Sequence, residues 1–391
     1  MDRVIIQTTL AVLGGLIMFL VGVWLGGHTE SLPGPLRDSL VDEDQAVRAE
    51  LEEEIRDNFY KEVDEEKLQN GALDGMIRAL DDRFSSYFTP EEAKLFRQSV
   101  SGEFEGVGLS VEKHRRGLLV VQVFERSPAE EAGIRKGDVI TEVNGKSIAG
   151  EPTQVATAKI KGKAGTKVSL TVLTPARDRS RTIEVERARI EVPTVEAKIR
   201  KRAGHDLAHV RLLGFTEGAH GELRDAIDQM RRQDADGIVL DLRGNGGGLL
   251  SEAVLVSSLF IEDGRIVSTK GRNKAERVFE AEGDAIDEDI PVVVLVDRGS
   301  ASASEIVTGA LRDRHRGTVV GQRTFGKGVF QELEDLSNGG VVELVVGSYY
   351  LPNGENIAEK GIEPQIKARD KPRTKRDEAL PVALQALADK L

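Results

Sequence analysis

Two segments of the chain repeat one pattern, a buried strand followed by a turn of small residues and a helix. The first segment has an apolar strand over 237–243 and, after a glycine turn, a helix over 249–260. The second has the apolar run 292–296 and a helix over 304–313. Continuous apolar runs bounded by turn residues are typical of strands that are covered on both faces. The alternation of strands and helices from residue 190 onward therefore predicts an α/β domain with a largely parallel sheet.

The turn of the second segment holds a candidate nucleophile. Ser302 lies between strand and helix, where its Oγ projects at the sheet edge. The free N–H groups of the helix start point towards negative charge that develops there. Lys327 follows on a glycine-flanked turn after the next strand, 318–320. We interpret Ser302 as a nucleophile and Lys327 as its base.

A lysine can act as a base only when its amine is neutral. Lowering its pKa from about 10.4 to about 7 costs roughly 4–5 kcal/mol of differential solvation. We expect this burial to come from three apolar neighbours, Phe325, Val329 and Phe330. A carboxylate near the amine would oppose the shift, so Glu305 and Asp313 should not contact the Lys327 amine.

Composition and charge exclude several classes of function. The net charge of −12 over 391 residues argues against nucleic acid as the main partner. The chain has no cysteine, which excludes disulfides, a cysteine nucleophile and cysteine-based metal sites. The six histidines are scattered and none has the HExxH spacing of a zinc hydrolase. We therefore expect neither a metal nor a cofactor.

The N-terminus carries a long apolar segment. Residues 4–25 are almost wholly apolar, which is long enough to span a bilayer as a helix. Arg3 precedes the run and acidic residues follow it, which favours an N-terminus on the inside. A cleaved signal peptide is the alternative, although no Ala-x-Ala site follows Trp24. We expect a single-pass anchor over 1–27 in the cytoplasmic (inner) membrane, with the rest of the chain in the periplasm.

A linker and a helical segment follow over 28–99. One apolar residue recurs every fourth position between acidic residues, at Val47, Leu51, Ile55, Phe59 and Val63. Such a narrow stripe on a charged helix either packs on its own domain or pairs with another subunit. A second helix is predicted over 71–80. The stripe makes a homo-oligomer an expectation.

Short strands and glycine turns characterise residues 100–188. The sequence Gly106-Val107-Gly108-Leu109 begins one strand, and Asn144-Gly145 marks a hairpin turn. The segment resembles a PDZ domain, in which a peptide C-terminus adds to an open sheet edge. The resemblance implies that the backbone N–H groups of Gly106, Val107, Gly108 and Leu109 hold the peptide carboxylate. The alternative is an unrelated small β domain.

Four motifs occur together in the remaining part, 189–391. They are Asp241–Gly248, Ser300–Glu305, Thr324–Gly328 and Gly361–Pro364. With the PDZ-like segment before them, they resemble the carboxyl-terminal (tail-specific) processing proteases of peptidase family S41. The resemblance implies an endopeptidase with a Ser/Lys dyad on an α/β core related to the crotonase and Clp proteases.

The same resemblance implies roles for individual residues. Ser302 would be the nucleophile, Lys327 the general base, and Gln331 a residue that orients the lysine. Gly247 and Ala303 would supply the N–H groups of the oxyanion hole. Substrates would be proteins that the enzyme captures by their exposed C-termini. An adaptor protein is a further partner that the resemblance allows.

Two alternatives remain open. Gly321-x-x-x-x-Gly326-Lys327 is close to a phosphate-binding loop, but Gly328 replaces the Ser or Thr that binds magnesium, and a strand is predicted next. The other alternative is a non-catalytic PDZ scaffold on a protease-like fold, against which the complete dyad argues.

Overall fold

The computed structural model describes Met18 and the ranges 43–151, 153–175, 179–371 and 376–391. Apart from Met18, the expected anchor over 1–27 lies outside these residues. None of the helices within the described ranges combines the length and the apolar character that crossing a bilayer requires. The chain divides into two compact units, Met1–Ala79 and Leu80–Leu391.

The first unit contains helices α1 (Glu43–Asn58) and α2 (Glu65–Arg78). Asp64 caps α2 by accepting a hydrogen bond from the backbone N–H of Lys67. The prediction of one continuous stripe to Val63 was therefore wrong, because α1 ends at Asn58 and a new helix is capped six residues later. The second helix also begins earlier than the predicted Gly71.

The second unit opens with strand β1 (Ser86–Phe88) and helix α3 (Pro90–Ser101). Thr89 and Glu92 form a capping box at the start of α3. Gly102 ends the helix in the left-handed conformation.

A six-stranded antiparallel sheet with two short helices follows. Its elements and their neighbours, in chain order, are β2 (Glu103–Gly106), β3 (Leu109–His114), β4 (Gly117–Val123), α4 (Pro128–Glu131), β5 (Val139–Val143), β6 (Lys146–Ser147), α5 (Thr153–Ile160), β7 (Lys167–Thr174), β8 (Arg179–Glu186) and β9 (Ala188–Glu191). The strand order is β3-β4-β5-β7-β8, with β6 beside β5, while β2 and β9 form a separate pair. Alternate residues of β7 enter the core, as expected for a sheet with one covered face. The short strands predicted for this segment are confirmed, but the strand predicted to begin at Gly106 begins at Leu109.

The remaining elements form the α/β core. In chain order they are β10 (Val195–Arg202), β11 (His205–Leu212), α6 (Ala219–Arg231), β12 (Gly237–Asp241), α7 (Leu250–Ser258), β13 (Arg265–Lys270), β14 (Arg277–Glu280), β15 (Val292–Val296), α8 (Ala303–Asp313), β16 (Thr318–Gly321), β17 (Val329–Asp335), β18 (Val341–Tyr350), β19 (Ile366–Lys367) and α9 (Ala379–Ala388). Strands β11, β12, β15, β16 and β19 pair in parallel, and β10 is antiparallel at one edge. The predicted largely parallel sheet is confirmed.

Helices cover both faces of this sheet. Alternate residues of β12 and β15 pack against α6, α7 and α8 on one face, and against α9 on the other. Every residue of β12 and β15 is buried, which explains why both strands read as continuous apolar runs. A second, antiparallel sheet contains β1, β18, β13 and β14, with β17 also paired to β18.

The topology brings three loops together. The loops after β12 and β15 leave the carboxyl ends of adjacent parallel strands, where α/β sheets usually bind ligands. The third loop joins β16 to β17 and carries the chain from the parallel sheet to the antiparallel one. Ser302 lies on the second loop and Lys327 on the third.

Candidate active site

Ser302 occupies the N-cap position of α8 in a strained backbone conformation. Its φ of 56° and ψ of −115° lie outside the regions that non-glycine residues normally adopt. Neighbouring side chains fix the loop on either side. The Oγ of Ser300 donates to the carbonyl of Leu242 at 2.7 Å, and the Oγ of Ser304 donates to the carbonyl of Asn245 at 2.8 Å. The helix begins at Ala303, one residue earlier than predicted.

One buried carboxylate holds the two loops that carry Ser302 and Lys327. Glu305 is 0% exposed, and its Oε2 accepts the backbone N–H groups of Ser302 and Lys327, each at 3.0 Å. Its Oε1 accepts the N–H of Gly326 at 2.7 Å and the hydroxyl of Thr324 at 2.5 Å. Hydrogen bonds to an ionised carboxylate are stronger than neutral ones. Glu305 therefore sets the relative position of the two backbones without binding the lysine amine.

The Lys327 side chain points into a partly buried position under an aromatic ring. Its Nζ lies 5.3 Å from the centroid of the Phe84 ring. Burial lowers the pKa of Lys327, and the negative charges of Glu343, Glu305 and Asp82 oppose that shift without cancelling it. In the part of the chain that the structure describes, neither a hydrogen bond nor an ion pair joins a carboxylate to this amine.

The source of the burial differs from the expectation. Val329 and Phe330 line the cavity next to Lys327. Phe325 is 46% exposed and packs edge-on against Phe84, with ring centroids 6.4 Å apart. Phe84 takes the place that we predicted for Phe325, because the strand pairing of β1 with β18 carries the preceding loop over the amine.

Ser302 and Lys327 line one cavity of about 500 Å³. Most of its other walls are apolar, with contributions from Phe96, Val100, Leu249, Ile306 and Phe330. The hydrogen bonds of the described residues do not include one between Ser302 Oγ and Lys327 Nζ. Catalytic hydrogen bonds are often long before substrate binds, so the shared cavity is the relevant observation.

The two predicted oxyanion donors differ in their present partners. The N–H of Ala303 has no acceptor among the described residues, and it starts α8 beside Ser302. The N–H of Gly247 donates to Asn245 Oδ1 at 2.9 Å. Gly247 has φ of 104°, and a Cβ there would lie 2.8 Å from the Cβ of Ser302. Glycine is therefore required for the close approach, but its N–H must leave Asn245 before it can bind an oxyanion.

Gln331 lies on β17 and lines the same cavity. Its Nε2 donates to the carbonyl of Phe84 at 3.1 Å. Within the described residues it makes no hydrogen bond to Lys327, so its predicted action on the lysine stays a prediction. The contact it does make holds the backbone of Phe84, whose ring covers the amine.

The loop that the PDZ resemblance predicts to hold a carboxylate joins β2 to β3. Gly106 ends β2, Val107 is buried, and Gly108 has φ of 83°. A Cβ on Gly108 would lie 2.2 Å from the Cβ of Ser127, so only glycine fits. Leu109 begins β3, which is an edge strand of its sheet. The loop thus leads directly into an open edge to which a peptide can add.

Comparison with known proteins assigns the segments that carry these sites. The model of peptidase family S41 matches residues 206–368, and the model of the PDZ domain matches residues 106–186. The model of the activating protease CtpB N-terminal domain matches residues 45–92. The carboxy-terminal processing protease CtpA of Bacillus subtilis is 39% identical over 317 residues, covering 81% of this chain and 67% of the relative. The chain belongs to peptidase family S41.

Other relatives agree with this assignment. A protein of Staphylococcus aureus (strain COL) named as a CtpA-like serine protease is 38% identical over 314 residues. The match covers 80% of this chain and 62% of that protein's length. A crystal structure from Bacteroides fragilis described as an S41 protease has a TM-score of 0.51 at 16% identity, covering 81% and 90% of the two chains, and supports the fold alone. This S41 protease is a C-terminal processing serine protease with a PDZ domain.

Several residues around the S41 site were missed by sequence reasoning. Phe84 and Asp82 precede β1, and Glu343 and Tyr349 lie on β18. Tyr349 is buried, its hydroxyl accepts the N–H of Gly328 at 3.3 Å, and burial raises its pKa well above the usual value. The one available signal was the charge of Glu343 within the otherwise apolar run 341–346.

A second buried carboxylate in this S41 domain is structural. Asp241 ends β12 and is bound by His209 Nε2 at 2.9 Å and by the guanidinium of Arg243 at 2.7 Å. Burial alone would raise the pKa of Asp241, but the hydrogen bonds from His209 and Arg243 lower it to about 2. Arg243 also pairs with Asp377 and Asp370, which ties the segments before α9 to the sheet.

Proposed function

We propose that Ser302 and Lys327 form the catalytic dyad of this S41 protease. One observation carries the assignment. A strained serine at a helix start and a lysine with a lowered pKa line the same cavity, and the buried carboxylate of Glu305 bonds to the backbone of both. A neutral lysine beside a serine is the arrangement that activates the hydroxyl.

The proposed reaction follows from the donors around Ser302. Neutral Lys327 accepts the proton of Ser302 Oγ as the oxygen attacks the substrate carbonyl carbon. The N–H of Ala303 binds the developing oxyanion, joined by the N–H of Gly247 once it turns away from Asn245. The protonated amine then gives its proton to the leaving nitrogen, and a water activated by Lys327 hydrolyses the ester. Gln331 orients the lysine in this scheme, through Phe84.

Replacement of the nucleophile tests the dyad. Ser302→Ala should abolish cleavage of an unstructured peptide, whereas Ser180→Ala, on the exposed strand β8, should not change it. A serine-reactive phosphonate should label the wild type only at pH values where Lys327 is neutral. Undiminished cleavage by Ser302→Ala would remove the dyad. Nucleotide binding detected by thermal shift would support the alternative of a phosphate-binding loop over 321–327. A wild-type protein that neither cleaves the peptide nor reacts with the phosphonate would favour the non-catalytic PDZ scaffold.

Capture of substrate C-termini by the PDZ domain is the second part of the proposed function. The loop of Gly106, Val107, Gly108 and Leu109 and the open edge of β3 support it. Gly108→Val should reduce turnover of proteins with an exposed apolar C-terminus more than turnover of short generic peptides. Equal losses for both substrates would contradict a capture role.

The setting of the enzyme is proposed from the sequence. The apolar run 4–25 supports a single-pass anchor in the cytoplasmic membrane with the protease in the periplasm. Release of the full-length protein from membranes by a carbonate wash would contradict the anchor.

The exposed side chains of Val47 and Leu51 support a homo-oligomer. An unchanged sedimentation coefficient after deletion of residues 42–65 would exclude that segment as its contact, and an adaptor protein would appear as a factor required for turnover of tailed substrates.

A further inference from the structure

Glu343 is an acidic residue in the wall of the catalytic cavity. It lies on β18 opposite Leu333 of β17, and both side chains line the cavity together with Ser302 and Lys327. The side chain is about half-buried. Among the described residues its carboxylate has neither a hydrogen-bond partner nor an ion-pair partner.

The surroundings of Glu343 leave it without compensation for its burial. A partly desolvated carboxylate costs free energy unless a donor or a cation binds it. Burial raises the pKa of Glu343, and the positive charge of Lys327 is what opposes this. Yet the Lys327 amine lies under Phe84 and must be neutral when it acts as a base. The structure thus offers no permanent partner for this acid.

The rest of the cavity fits the remainder of a long basic side chain. Its walls include Val100, Leu249, Ile306 and Phe330, which can cover a chain of methylene groups. Lysine and arginine combine such an apolar stem with a cationic head. A cavity with apolar walls and one unpaired carboxylate is complementary to those two side chains and unfavourable to acidic ones.

We propose that Glu343 is a specificity-determining residue that selects substrates with a lysine or arginine side chain next to the scissile bond. The substrate cation binds the carboxylate of Glu343 while the PDZ domain holds the C-terminus. This inference rests on the proposed function, because the dyad of Ser302 and Lys327 fixes where the scissile bond lies in the cavity.

Binding of a lysine or arginine side chain of the substrate also changes the pKa of Lys327. The charged groups that act on Lys327 are Glu343 from β18, Glu305 from α8 and Asp82 from the loop before β1. The guanidinium of Arg83 lies over the Phe84 ring, 4.6 Å from its centroid. A substrate cation neutralises the field of Glu343 at the amine. Basic substrates should therefore be cleaved at lower pH than matched neutral ones.

Matched peptides test the selection. The peptides share one apolar C-terminal tail and differ only at one position beside the mapped cleavage site, which holds Arg, Leu or Glu. At mildly alkaline pH the wild type should cleave the Arg peptide about 10- to 100-fold more efficiently than the Leu peptide, as expected for a hydrogen-bonded charge. The Glu peptide should be the poorest substrate.

Variants of the wall give the decisive comparison. Glu343→Gln should reduce the preference for Arg over Leu to about threefold or less, and Glu343→Lys should favour the Glu peptide. Glu334→Gln, which changes an exposed acid on β17 outside the cavity, should keep the wild-type preference. Wild-type cleavage without a basic preference, or the same preference in Glu343→Gln, would overturn the selection and leave the dyad intact.

Binding to the inactive enzyme separates this inference from the catalytic one. Ser302→Ala should bind the fluorescent Arg peptide more tightly than the Leu peptide, and the double variant with Glu343→Gln should bind both alike. Equal binding by Ser302→Ala would contradict the selection whether or not that variant is inactive. Faster cleavage of every peptide by Glu343→Gln, with an unchanged Arg preference, would mean that Glu343 acts only on the lysine.

Discussion

Two acidic residues near the proposed dyad lie in very different surroundings. Glu305 is fully buried at the start of α8 and accepts hydrogen bonds from four groups of the loops beside it. Glu343 lies half-buried on β18 and has no partner among the described residues. Both negative charges raise the pKa of Lys327, so charge alone does not distinguish them.

The two carboxylates differ in whether the fold itself supplies their hydrogen-bond donors. The loops after β15 and β16 use Glu305 to fix Ser302 and Lys327, so its charge is part of the folded framework. The wall formed by β17 and β18 presents an acid whose partner must come from elsewhere. A satisfied carboxylate in a network holds a geometry, whereas an unsatisfied one in a cavity is open to a ligand.

Within the comparison of buried acids, the largest expected effect comes from Glu305. Glu305→Gln replaces one of two oxygens that each accept two hydrogen bonds by an amide NH₂, which leaves at least one buried backbone N–H unpaired at about 1–3 kcal/mol. We expect kcat to fall by about 10²- to 10³-fold, because the backbones of Ser302 and Lys327 lose their common anchor. The melting temperature should fall as well.

Steady-state kinetics and thermal unfolding check this expectation. Glu334→Gln is a suitable control, since that side chain is exposed on β17. A Glu305→Gln enzyme within about threefold of the wild-type kcat would break the distinction between the two acids.

Asp241 extends the comparison to stability. Its pKa of about 2 lies below the ordinary value of 3.8, so the folded state holds the ionised form more strongly than the unfolded chain does. The corresponding stabilisation, about 2 kcal/mol, is fully present above the unfolded pKa and is lost as pH falls through the folded pKa. Asp241→Asn should therefore be destabilised at neutral pH, and its deficit relative to the wild type should shrink between about pH 4 and pH 2.

Denaturant unfolding at several pH values measures this deficit. Asp206→Asn is a matched control, because that carboxylate forms an ion pair with the exposed Lys201. A deficit for Asp241→Asn that is constant with pH would show that packing, not charge, accounts for its role.

The sequence predicted the parts of the site that depend on local order. The apolar runs at 237–243 and 292–296 predicted two buried parallel strands, and the small residues after 296 predicted a turn with Ser302 before a helix over 304–313. Such features require only neighbours in the chain, because strand, turn and helix signals are local. The helix α1 was predicted too long, because the apolar stripe to Val63 continues past Asn58, where the helix ends.

The parts that were missed depend on distant pairs. Phe84 and Gln331 are 247 residues apart, and the side chain of Gln331 bonds to the backbone of the residue whose ring lies over Lys327. The hydrogen bond from the N–H of Gly247 to Asn245 Oδ1 joins near neighbours in the chain. The sequence nevertheless does not show whether this N–H donates to Asn245 or to a substrate oxyanion. Glu343 was visible as a charge in an apolar strand, yet only the pairing of β17 with β18 reveals that it faces the cavity.

The smallest expected effect concerns the pH dependence of a neutral substrate. Lys327 acts only when it is neutral, and burial lowers its pKa while the negative charge of Glu343 raises it. Glu343→Gln removes that charge, so the amine should lose its proton at lower pH and the acidic limb of kcat/KM for the Leu peptide should move in the same direction. On that limb we expect a rate gain of about two- to tenfold, with little change at alkaline pH, where the lysine is already neutral. Glu305→Gln cannot give this result, because its loss of geometry lowers the rate at every pH. An acidic limb that stays in place, or that moves to higher pH, would show that Glu343 does not act electrostatically on the base.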